Sequence, residues 1–151
     1  MAAQRSAEGR RVLVVEDEMM IVLVIEEALL DLGAEVVGPA SRLDAALRLA
    51  GEASIDAAIL DVNIRGGTAY PVADILAERG IPFIFCSGYS DWALEERHRD
   101  RPRLTKPYSA NELKDRVLHL LVDPPHLPLR DVPTPSNGDR GVTGASRWRR
   151  R

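Results

Sequence analysis

Five short apolar runs alternate with helix-length amphipathic stretches along the first 123 residues, and that alternation restricts the fold more than any other feature. It predicts an α/β domain built on a parallel sheet, because parallel neighbours need a crossover between them and a helix supplies it. Expected strands are Arg11 to Val15, Glu35 to Gly38, Ala57 to Asp61, Pro82 to Cys86 and Arg103 to Thr105. The second is less apolar, as an edge strand would be. Expected helices run from Met19 to Leu32, closed by Gly33; from Ser41 as N-cap, with Leu43, Ala46, Leu47 and Ala50 on one face; and from Tyr70 to Arg79, with Pro71 in the first turn and Gly80 beyond the end. The last starts near Ser109, where Ser109 and Glu112 match a capping box, and turns Leu113, Val117, Leu120 and Leu121 inward. Asn63 to Gly67 reads as a turn whose paired glycines allow positive φ, and Ser90 to Arg101 as at best a short exposed helix.

Four of the five runs end in a residue able to carry chemistry. Glu16-Asp17-Glu18 closes the first, Asp61 the third, Ser87-Gly88 the fourth and Lys106-Pro107 the fifth. In open parallel sheets, ligands bind outside the carboxyl ends of the strands, so these residues are expected to converge although up to 90 positions separate them. Three carboxylates in one pocket repel one another and need a cation; Mg2+, which prefers oxygen ligands and keeps positions for water and phosphate, suits Glu16, Asp17 and Asp61. Asp61 is then placed to attack a phosphoryl group, with the Lys106 ammonium and Ser87 hydroxyl taking charge from the transferred oxygens. Singly, each element has an ordinary explanation as a helix-terminal acid, a turn residue or an exposed lysine. Their joint placement after successive strands is what points to a phosphate-accepting site.

The remaining composition narrows the class. Hydrophobic residues make up 45% and charged residues 28%, and no apolar run is long enough to span a membrane. The N-terminus lacks the apolar segment of a secretory signal, and the lone Cys86 fits a reducing cytosol as a buried small hydrophobe. A cytoplasmic location is therefore expected. Net charge is −3, but residues 1–123 hold 14 basic against 21 acidic side chains while 124–151 hold 6 against 2. An acidic body argues against nucleic-acid binding by the folded part. Residues 1–9 are expected to be a flexible N-terminus, 10–123 the folded domain, and 124–151, with five prolines and a basic end Arg147-Trp148-Arg149-Arg150-Arg151, a disordered tail.

With these residues in place, 10–123 resembles the response regulator receiver family of two-component signalling: Glu16-Asp17, Asp61, Ser87 and Lys106-Pro107 match its motif set. The resemblance implies a flavodoxin-like, doubly wound five-stranded parallel sheet of order 2-1-3-4-5, with the fourth helix short or degenerate here. It implies that Asp61 accepts a phosphoryl group from a sensor histidine kinase or a histidine phosphotransferase. It further implies Mg2+ bound directly by Asp17 and Asp61, through water by Glu16, and by the main-chain carbonyl of Asn63. Two departures stand out, one of them a helix after the fourth strand that is poor in apolar spacing. The family usually has an aromatic residue three positions before the lysine, where this chain has Arg103, leaving Tyr89 as a candidate for the aromatic role. Phe85-Cys86-Ser87-Gly88-Tyr89-Ser90 is similar to a Phe-Ala-Thr-Gly-hydrophobic-Tyr signature of stand-alone alphaproteobacterial receivers served by HWE-type kinases. Tyr89 would also shield an acyl phosphate at Asp61 from water, with plain packing the alternative.

Two functional classes remain open at this level. One is a single-domain regulator, not an enzyme, that works through a downstream protein target as a relay intermediate, adaptor or phosphate sink, with dimerisation undecided. The other is a phosphatase with an aspartyl-phosphate intermediate; against it, the position two after Asp61 is Asn63, which cannot serve as a carboxylic general acid. A dinucleotide-binding fold is disfavoured because no Gly-x-Gly-x-x-Gly follows the first run.

Overall fold

The structure is a computed structural model that describes residues 7–88 and 96–122. In chain order the elements are β1 (Arg11–Val15), α1 (Met19–Asp31), β2 (Glu35–Ala40), α2 (Leu43–Glu52), β3 (Ala57–Asp61), β4 (Asn63–Ile64), β5 (Gly67–Thr68), α3 (Tyr70–Glu78), β6 (Phe83–Ser87), a 3-10 turn (Glu96–His98), β7 (Arg103–Thr105) and α4 (Ala110–Val122). The main sheet is parallel with order β2-β1-β3-β6-β7, which is the 2-1-3-4-5 order of the flavodoxin-like fold once the small β4–β5 hairpin is set aside.

Strand periodicity divides the core between the two faces. Leu13, Val15, Ala58, Leu60, Phe83 and Phe85 join Ala46, Ala50, Val72 and Leu76 of α2 and α3. Their neighbours Val12, Val14, Ala57, Ile59, Ile84 and Cys86 join Ile25, Leu29, Leu113 and Val117 of α1 and α4. Successive side chains on a strand point to opposite faces, so a sheet covered on both sides needs continuous apolar runs rather than alternating ones. Cys86 sits among them, its thiol pushed up to about 12 by burial.

Helix ends follow local chemistry where the sequence offers it. After α1, Gly33 takes φ 82, its N–H donates to Leu30 O at 3.0 Å, and the Ala34 N–H donates to Leu29 O at 3.0 Å, the two bonds of a left-handed C-cap. The α4 capping box forms as expected: Ser109 N–H donates to Glu112 Oε1 at 2.9 Å, and Glu112 N–H to Ser109 Oγ at 3.1 Å. α2 differs. Its N-cap is Arg42, not Ser41, and the Leu43 N–H donates to Arg65 O at 2.8 Å. A long-range carbonyl satisfies the helix end that a side chain was expected to satisfy.

Other expectations need correction. β2 runs on past Gly38 to Ala40 through a cis Gly38–Pro39 peptide, with a register irregularity against β1 between Leu13 and Val15. Gly38 has φ 102, and a Cβ there would lie 2.9 Å from Ala40 N and 3.1 Å from Val14 O, so only glycine fits. The expected turn at 63–67 is a hairpin in which Asn63 pairs with Thr68 and Ile64 with Gly67. The body reaches back to Ala7, which is buried and donates its N–H to Leu32 O at 3.0 Å, so residues 7–9 are held rather than flexible. The expected tail 124–151, residues 90–95 and Tyr89 lie outside the described residues.

The stretch before β7 departs most from expectation. His98, in the segment read as exposed, has no accessible surface. Its ring stacks on Tyr70 at 5.9 Å and meets Phe83 and Phe85 edge-on at 5.9 and 5.5 Å. Nε2 lies 2.9 Å from Asp74 Oδ1 of α3, whose carboxylate also takes two bonds from the Arg97 guanidinium at 2.9 and 2.8 Å. Arg101 caps the cluster, its guanidinium carbon 4.9 Å from the Phe83 centroid. Burial pulls the His98 pKa below its ordinary value, outweighing the opposing pull of Asp74; Arg97 and Arg101 act in the same direction as burial.

His98→Ala is expected to cost about 2–4 kcal/mol through the cavity and the lost anchor. A depressed histidine contributes fully above its unfolded pKa of about 6.5 and loses that contribution as pH falls through it. The stability gap between the parent chain and His98→Ala should therefore narrow from pH 7.5 to pH 5.5 in urea titrations; a constant gap would contradict the neutral, buried state.

Candidate functional site

β1, β3, β6 and β7 lie side by side in the sheet, so the residues leaving their carboxyl ends share one rim. Glu16 and Asp17 leave β1, Asp61 ends β3, Ser87 ends β6, and Lys106 follows β7. Register fixes their heights: Asp61 pairs with Cys86, one residue before Ser87, and Ser87 pairs with Thr105, one before Lys106. Lys106 N–H then donates to Ser87 O at 2.8 Å, tying the two loops together, and the Lys106–Pro107 peptide is cis.

The side chains meet as the sequence predicts for the acids and the lysine. Lys106 Nζ lies 3.3 Å from Glu16 Oε1, 3.4 Å from Glu16 Oε2 and 3.3 Å from Asp61 Oδ2. Glu16, Asp17 and Asp61 each bring one carboxylate oxygen to within 4.8 Å of the others. Glu16 is 1% exposed and Asp61 7%, whereas Asp17 is partly open. Backbone amides add support that the sequence reading missed: Glu18 N–H donates to Glu16 Oε2 at 3.1 Å, and Asn63 N–H to Asp61 Oδ1 at 3.4 Å. These bonds arise where the chain turns at each strand end, and residue type carries no signal of them. Ser87 is half-buried at its strand end, and Asn63 opens the hairpin with its side chain exposed.

One ammonium faces two buried carboxylates, and the imbalance sets the electrostatics. Burial first, and the Asp61 carboxylate second, push Glu16 up to about 7 against the pull of Lys106. Asp61 is also raised, by burial, although Lys106 and the hydrogen bonds it accepts oppose the shift. The two carboxylates and Asp17 form an all-oxygen donor set, and buried Glu16 Oε1 has the Lys106 ammonium at 3.3 Å but makes no hydrogen bond. A hard divalent cation fits that set, since one ammonium does not balance the carboxylates and the cation would supply the missing positive charge.

Arg103, at the position expected to break from the usual aromatic, sits on edge strand β7. Its guanidinium donates to Arg99 O at 2.6 Å, and its own carbonyl accepts from Arg116 at 2.9 Å.

A carboxyl whose pKa is raised on folding penalises the fold as pH rises from its ordinary value toward the raised one, because the folded state must then give up a proton it holds more tightly. In metal-free buffer the parent chain should lose stability between pH 5 and pH 8 relative to Glu16→Gln, measured by urea denaturation. Millimolar divalent cation should remove most of that loss; equal pH profiles for the two chains would show that Glu16 carries no such strain.

A family model for the response regulator receiver domain matches residues 12–118. The transcriptional regulatory protein PdtaR of Mycobacterium tuberculosis is 34% identical over 112 residues, which cover 72% of this chain and 55% of that protein. The chain thus spans about half the length of that curated relative. Among solved structures, SdrG from Sphingomonas melonis Fr1 is 43% identical with a TM-score of 0.66, covering 78% of this chain and 99% of that one. PhyR from Brucella abortus is 29% identical with a TM-score of 0.67, covering 80% of this chain and 51% of that one. The magnesium-bound receiver domain of the sensor histidine kinase PA1611 from Pseudomonas aeruginosa is 26% identical with a TM-score of 0.60, covering 75% and 97%. Sheet order, the acid–lysine pocket and these similarities agree: the chain belongs to the response regulator receiver domain family.

Proposed function

We propose that this chain is a response regulator that accepts a phosphoryl group on Asp61 from a phosphohistidine donor and signals through protein contacts. The observation that carries the reading is Lys106 Nζ lying 3.3 Å from both Glu16 and Asp61 carboxylates at the rim of the parallel sheet. Transfer forms a bond between an Asp61 carboxylate oxygen and phosphorus. The phosphorus–nitrogen bond of the donor breaks, and its electron pair returns to the imidazole nitrogen. Charge on the three transferred oxygens is met by the Lys106 ammonium and the Ser87 hydroxyl, so most of the work is positioning and charge stabilisation.

Glu16, Asp17, Asp61 and the main-chain carbonyl of Asn63 would hold Mg2+, which supplies neutralising charge to the carboxylates and the arriving phosphoryl group. The magnesium-bound PA1611 receiver and the Mg2+–BeF complex of TrrA from Thermotoga maritima, 27% identical, support the choice of metal. SdrG was also solved in a BeF3-activated conformation and is 43% identical to this chain, which supports acyl-phosphate chemistry at Asp61. A phosphohistidine-bearing kinase or phosphotransferase is the protein donor in this reading.

Incubation with a small acyl phosphate and Mg2+ should add one labile phosphate by intact-mass spectrometry. Asp61→Asn or EDTA should abolish it, and Lys106→Ala should slow its formation at least tenfold, about 1.4 kcal/mol of lost charge stabilisation. Steady turnover of phosphate monoesters, or an adduct that survives Asp61→Asn, would overturn the assignment.

A further inference from the structure

Among the described residues, the large apolar side chains left most exposed gather on two neighbouring helices. Met19, Met20, Leu23 and Leu30 of α1 are 66%, 73%, 52% and 71% exposed, and Val122 at the end of α4 is 65% exposed. α1 and α4 lie together, with Lys114 Nζ reaching Asp31 Oδ2 at 3.1 Å. At about 100° per residue, Met19, Leu30, Leu23, Glu27 and Met20 fall within a third of the helix circumference. Exposed Glu27 lies within this stripe, Glu18 stands just before its start, and Asp31, paired with Lys114, stands at its far end. A clustered apolar face rimmed by polar groups is an interaction surface rather than scattered exposure, and methionines let such a face repack around what it meets.

We propose that the occupant is the chain's own C-terminal segment, Arg147-Trp148-Arg149-Arg150-Arg151, docked on α1. The chemistry is complementary. Four guanidiniums face a helix edged with carboxylates, and one indole offers the large flat apolar surface that Met19, Met20 and Leu23 can cover. The charge division of the whole chain runs the same way, with 14 basic and 21 acidic residues up to position 123 against 6 and 2 beyond it. Reach is sufficient. Twenty-four residues separate Val122 from Arg147; random-coil dimensions for that many residues are about 25–30 Å, while the 13-residue α1 is about 20 Å long. Tethering at this range gives an effective concentration on the order of millimolar, so a contact too weak to form between separate molecules is populated within one.

Docking there has a positional consequence. The stripe begins at Met19, two residues after Asp17, so the bound segment lies beside the acidic pocket and competes with any protein that approaches the pocket over α1. The contact itself does not depend on the phosphoryl chemistry proposed for Asp61, and its test leaves that chemistry aside.

The sequence holds three methionines, two of them on this face and the third at position 1, so methyl-labelled methionine gives a readout with an internal control. The full chain would be compared with a chain ending at Ser146 and with Trp148→Ala. Docking predicts that truncation moves the Met19 and Met20 methyl resonances and leaves Met1 in place, that Trp148→Ala reproduces most of the shift, and that the shifts do not change with protein concentration. Unmoved Met19 and Met20 signals would overturn the proposal. So would shifts that grow with concentration, which would mean the segment engages a second copy.

Discussion

Everything at the candidate site depends on one unequal charge triangle: a single ammonium at 3.3 Å from two carboxylates that the fold has taken out of water. Two buried acids cannot both ionise comfortably against one lysine, and the raised pKa of each records the strain. The apolar core supplies the burial. Val12–Val15 and Ala57–Leu60 are fully enclosed, so Glu16 and Asp61, the next residues along, emerge where solvent is scarce but not absent. The pocket is thereby pre-set for two demands, positive charge from a cation and a group whose oxygens Lys106 can bind.

Distance along the chain is overcome by topology rather than by local structure. Glu16 and Lys106 are 90 residues apart, yet β1, β3, β6 and β7 are successive neighbours whose carboxyl ends share one edge. Helical crossovers through α1, α2 and α3 help cover both faces and leave the loops on this rim free to specialise. The helices on the two faces contribute differently: α2 and α3 pack on the aromatic side with Phe83 and Phe85, and α1 and α4 on the aliphatic side with Ile59 and Ile84.

The readable parts of the sequence were those governed by near neighbours or by strict periodicity. Strand positions, the Gly33 cap and the Ser109–Glu112 box each rest on a pattern within a few residues. Glu16, Asp61 and Lys106 were readable for another reason, since strand-end position in a parallel sheet converts sequence order into spatial convergence. What escaped reading was long-range. Ser41 looks like a cap, but the Arg65 carbonyl reaches Leu43 first. His98 stands in a highly charged stretch, and nothing local says that Tyr70, Phe83, Phe85 and Asp74 will enclose it. The β4–β5 ladder escaped because two-residue strands carry no periodicity.

The tether at Arg103 has a kinetic implication. A lone ring at that place could change rotamer within nanoseconds, whereas this guanidinium is bonded to a carbonyl four residues upstream, in a turn that His98 pins to the interior. A rearrangement of this border that moved the backbone around 96–103 would have to break the Arg103–Arg99 and His98–Asp74 bonds together. Collective motion of that kind falls in the microsecond-to-millisecond range, slower than the turning of a single exposed side chain.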